Sequence, residues 1–190
     1  MILYFHDESG KVYGKRSGSA KGLSLLLDDP QVLCVESEYD HAINEVFVNI
    51  DSGELVILGS PPSDAHLIDL NAKAWVWDID RAKLSVWEQI KSNRDVEEFG
   101  TFVWNGYTFD CNEVSQRRIQ GAVQLAQLDS AMSIDWTLSD NSAITLSAAE
   151  VIAVGQTLAV HVNACHVKAR GLRGQINAAQ TEAELSVITW

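Results

Sequence analysis

His161, Cys165 and His166 are the residues whose types and spacing come nearest to a reactive site. One helical turn separates His161 from Cys165, so on a helix both lie on one face, a workable metal-binding geometry. A structural metal needs three or four ligands, and the Glu of the zinc-hydrolase pattern does not follow His161. Cys165 also falls on an apolar stripe, where a thiol behaves as a small hydrophobe. Packing is the stronger reading, and no metal or other cofactor is expected. A second group is His6-Asp7-Glu8 with Asp40-His41. An Asp beside a His can orient an imidazole for proton transfer, but neighbours in sequence need not point together. No Gly-x-Ser-x-Gly elbow, Gly-x-Gly-x-x-Gly loop, Walker lysine or Cys-x-x-Cys pair accompanies it. These residues read as a hairpin tip and a loop, and no enzymatic activity is expected.

Tryptophan carries more information. In Trp75-Val76-Trp77 the alternation places both indoles on one side of a strand. An exposed row of Trp75 and Trp77 would suit sugar or protein binding, whereas core packing is the commoner use of large aromatics.

The elements that position these residues follow from periodicity. Ile2–Phe5 and Lys11–Tyr13 flank Glu8-Ser9-Gly10 as a hairpin, and Val32–Val35, Glu45–Ile50 and Leu55–Leu58 read as strands. Ser17–Gly22 reads as a flexible loop, and Gly59-Ser60-Pro61-Pro62-Ser63 as the strongest break. Residues 78–98 have helical spacing, with Lys91–Asp95 and Arg94–Glu98 as i,i+4 pairs. Asn105-Gly106 between aromatic triplets is a strong hairpin signal, pairing Phe102 and Trp104 with Tyr107 and Phe109. Asp110 and Glu113 have capping-box spacing ahead of a helix carrying Ile119, Ala122, Val123 and Ala126.

A second hairpin, Ile134–Leu138 with Ala143–Leu146, leads to a Ser147/Glu150 capping box and the longest helix. Val151, Gly155, Leu158, Val162, Cys165, Ala169, Leu172 and Ile176 form a heptad seam along it, a candidate oligomer or interaction surface. Gly171 and Gly174 are expected to end or kink that helix. The fold class is α+β: a small β-rich unit at 1–72, then a hairpin–helix–hairpin–long helix unit at 73–190.

Composition narrows the function classes. A net charge of −12, spread along the chain, disfavours nucleic acid and anionic lipid as partners. Three distant cysteines, Cys34, Cys111 and Cys165, show no disulfide framework and suit a reducing compartment. Met1–Glu8 lacks the basic segment and apolar length of a signal peptide. No stretch is expected to reach a membrane span, so no membrane insertion is expected.

One resemblance rests on Trp87-Glu88-Gln89-Ile90-Lys91, Gly100–Trp104, Phe109-Asp110, Trp136–Asn141, Leu146–Glu150 and His161–His166. Over residues 75–190 the chain resembles a domain found near the C-terminus of bacteriophage tail-fibre and tail-fibre-assembly proteins. The resemblance implies tail association and brings no catalytic residues. It leads to an expected tail structural protein, a small fibre or a fibre–baseplate adaptor, serving tail assembly or host attachment. Its expected partners are other tail proteins and copies of itself, as in trimeric fibres, and its expected place is the virion tail after assembly in the host cytoplasm. The alternatives are a fibre-assembly chaperone that does not stay in the virion, a small hydrolase, and a carbohydrate-binding adhesin.

Overall fold

The computed structural model describes residues 1–190 and has the mixed α+β architecture read from the sequence. It divides into two units, Met1–Ala82 and Lys83–Trp190.

In the first unit, apolar residues make Ile2–His6 the central strand β1, paired antiparallel with β2 (Val12–Ser17) and β3 (Cys34–Ser37). Two hairpins follow, β4 (Val46–Asn49) with β5 (Glu54–Ile57), and β6 (His66–Asp69) with β7 (Ala74–Trp77). Ile2, Tyr4, Val12, Val46 and Val48 form the core. Gly10 is required at the first turn: its φ is +88°, and an added Cβ would lie 2.0 Å from the Val48 carbonyl oxygen.

Two expectations fail here. Ser17–Gly22 is no loop throughout, because Ser19 accepts a bond from the Gly22 N–H and caps helix α1 (Ala20–Leu27), which buries Leu23. Small polar residues that spell a loop also spell an N-cap. The Gly59–Ser63 break, by composition a natural end of the β-rich unit, instead lies inside the first unit between two hairpins, with β6 and β7 beyond it.

Helix α2 (Ile79–Glu98) crosses the boundary: its first turn, through the buried Ala82, belongs to the first unit, and the rest, with Ile90 buried, to the second. Hairpin β8 (Thr101–Trp104) and β9 (Tyr107–Asp110) pairs Phe102 with Phe109 and Trp104 with Tyr107, as the spacing predicts. Asn105 and Gly106, at φ +49° and +82°, supply its primed turn. Helix α3 (Glu113–Leu128) is capped by Asn112, which accepts from the Ser115 N–H, and not by Asp110. Asp110 cannot serve because it is still paired in β9. Hairpin β10 (Ser133–Thr137) and β11 (Ala143–Ser147) leads into α4 (Ala148–Ala178), whose Ser147/Glu150 capping box is formed. A short α5 (Glu182–Ser186) follows.

Phe102, Phe109, Cys111, Ile119, Leu146, Val151 and Leu158 belong to one core, so both hairpins and both helices share it. Phe102 and Phe109 stack with ring centroids 5.3 Å apart. On α2, Lys91 pairs with Glu88 at 2.7 Å instead of Asp95, while Arg94 approaches Glu98 at 3.8 Å. Arg94 also takes up the Asp95 carboxylate, which leaves Lys91 to the other side. Helix α4 runs unbroken through Gly171 and Gly174. Contrary to expectation, it is long and apolar enough to cross a membrane by length and composition. It reaches that length because its side away from the core is also poor in charge.

Candidate functional site

The eight seam positions of α4 face inward. Val151, Leu158, Cys165, Ala169 and Ile176 are buried, and Gly155, Val162 and Leu172 partly so. The small residue at 155 is explained within the chain: an added Cβ would lie 2.4 Å from Val123 Cγ2 of α3. The first half of the stripe is filled by this chain's own α3 and hairpins, and the second half runs beside α2, a helix burying its apolar face at home.

His161, Cys165 and His166 do not converge on one point. The His161 ring lies 6.1 Å from that of Phe102, and its Nε2 lies 3.1 Å from the Glu97 carbonyl oxygen. His166 Nε2 lies 3.1 Å from the carboxylate of the buried Glu98. Cys165 is buried, and burial pushes its thiol pKa up, as it does for Cys111, which reaches about 11. Beside them, Trp190 donates from Nε1 to Glu97 at 2.6 Å, and Lys168 sits 4.2 Å over the Trp190 ring. The Trp190 hydrogen bond first, and Lys168 next, hold the Glu97 carboxyl below its usual range. Arg173 lies 4.9 Å over the Trp87 ring. Together these contacts tie α2 to α4, with Trp190 beside them.

The opposite side of α4 carries a pattern that the reading of the sequence missed. Ala153, Thr157, Val160, Ala164, Val167, Gly171, Gly174 and Ala178 repeat the four–three spacing two residues further along. From Val160 to Ala178 these positions are exposed, Val160 by 69% and Val167 by 51%. An added Cβ at Gly171 or Gly174 would meet nothing within 4 Å. A signal was present: no Asp or Glu lies between Glu150 and Glu182, in a chain with 26 acidic residues.

In the first unit, Trp75 and Trp77 are both half-buried and face different surroundings. Trp75 lines a cavity of about 480 Å³ between β4 and the β6–β7 hairpin, and its Nε1 is buried with no acceptor. Trp77 borders a shallow groove along β6–β7. The two indoles do not make one exposed row. His6 is buried, with Nδ1 2.8 Å from the Asp7 carbonyl oxygen, and the Asp7 carboxylate accepts from Ser9 and the Lys11 N–H. His41 gives its backbone N–H to the Tyr4 hydroxyl. Asp7 thus closes a turn and orients no imidazole through its carboxylate.

No curated protein and no solved structure matches the chain. A family model described as a domain of unknown function (DUF4376) matches residues 81–189, most of α2 and nearly everything after it, and the chain belongs to that family.

Proposed function

We propose that this protein is a structural component of a bacteriophage tail, a small fibre or a fibre–baseplate adaptor, that self-associates through the outer side of α4. The tail-fibre resemblance over residues 75–190 supports the setting, and it overlaps the family span 81–189. The observation that carries self-association is the pair Gly171 and Gly174. Glycine inside a helix is about 1 kcal/mol worse than alanine. Both sit on the exposed stripe, where a methyl group would have open space. This chain alone has no use for them, but a second helix backbone in close approach does. Sustained four–three spacing is the pattern that keeps one helix facing another.

The occupant is α4 of another copy. From residue 153 to 178 the stripe runs roughly 39 Å at 1.5 Å per residue. The next longest helix, α2, has 20 residues against the 31 of α4. In this reading the protein works by scaffolding rather than catalysis, and tail assembly or host attachment is the process it serves. Light scattering on the purified chain tests it. The native protein should be a dimer or trimer, and the double variant V160E/V167E a monomer with unchanged circular dichroism. A monomeric native protein, or no change in mass in the variant, contradicts self-association.

A further inference from the structure

The cavity of the first unit has no part in self-association, and its chemistry points to a ligand. Its volume of about 480 Å³ falls in the range of small-molecule sites. Phe47, Ile68 and Trp75 are among the apolar residues of its wall. Its rim gathers Lys11, His66 and Arg81 against one acid, Asp64, although the chain as a whole carries a net charge of −12. Neither Lys11 nor Arg81 forms an ion pair within the chain.

The two cations stand on fixed backbone. The Lys11 N–H bonds to Asp7 Oδ1 at 3.1 Å, and residue 11 bridges to Phe47. The Arg81 N–H bonds to Asp78 Oδ1 at 3.0 Å in the first turn of α2. Ser63 Oγ engages His66 Nδ1 at 2.8 Å, which leaves Nε2 as the free ring nitrogen.

We propose that this cavity binds a carboxylate carried on an apolar body, with Arg81 and Lys11 on the carboxylate and the accessible Ile43, Ile68 and Trp75 around the body. Charge-assisted bonds to a planar carboxylate suit the guanidinium fork, and the apolar wall gives the remaining affinity. Such a group can come from a small organic acid or from the C-terminus of a polypeptide ending in an apolar residue.

Calorimetric titration of the full chain distinguishes the sources. The probes are 4-phenylbutyrate, and a tetrapeptide ending in phenylalanine with its C-terminus either free or amidated. One site per chain is expected for a carboxylate probe, with Kd about tenfold weaker for the amidated peptide. The double variant K11Q/R81Q, at two exposed positions, should keep its circular dichroism and lose about tenfold or more in affinity. Tighter binding of the free-ended peptide than of 4-phenylbutyrate assigns the site to a polypeptide terminus, and the reverse to a small acid. No binding of any probe at millimolar concentration, equal binding of the amidated peptide, or equal binding by the double variant overturns the proposal.

Discussion

Glu97 shows how much a single carboxylate can do at an exposed junction. It accepts from the Trp190 indole at 2.6 Å and from Lys168 at 3.5 Å, and its backbone oxygen faces His161. Its folded pKa lies below the ordinary 4.5, chiefly through the Trp190 hydrogen bond. A depressed pKa places the stabilising contribution above the unfolded value, and the contribution is lost as pH falls through the folded one. The Trp190 indole N–H resonance should therefore hold steady down to about the ordinary glutamate range and shift only below it. A midpoint at or above that range would contradict the assignment, and Glu97→Gln should abolish the titration. None of this was legible in the sequence, because Glu97 and Trp190 lie 93 positions apart. Local spacing had likewise suggested an Asp110 cap and a Lys91–Asp95 pair. A strand that ran on to Asp110 and an arginine that claimed Asp95 decided otherwise.

At the scale of elements, the strongest periodic signals were the ones the chain kept. The Asn105-Gly106 hairpin, the Ser147/Glu150 capping box and the α+β order all stand in the structure. What periodicity could not tell was which side of α4 meets its own chain, since the helix has a four–three stripe on both sides. Burial settles the inner one, and the glycines then separate the two. Gly155→Ala pushes a methyl group into Val123 and should destabilise the chain by about 1–3 kcal/mol, the usual range for overpacking. Gly171→Ala and Gly174→Ala have open space in the single chain, and each should stabilise it by about 0.4–1 kcal/mol in urea unfolding at low concentration. The same two changes should weaken self-association, because they thicken the outer stripe. Destabilisation of the single chain by either would contradict the open geometry, and unchanged association would count against a close helix contact.

On the scale of the whole molecule, the family match covers residues 81–189 and leaves all of the β-rich first unit except Arg81 and Ala82 outside it. The two units also carry different chemistry. The second has a long helix with an exposed apolar side, suited to another protein, and the first has a cationic rim around an apolar cavity. A tail component fits this division, with one unit for assembly and the other for recognition. Its presence in the finished particle is the most direct test. Under the proposed tail role, mass spectrometry of purified virions of a phage carrying this sequence, scaled to a known tail protein, should find the chain at several copies per tail. Absence from virions, with abundance in the infected lysate, would contradict a structural role and point instead to an assembly chaperone.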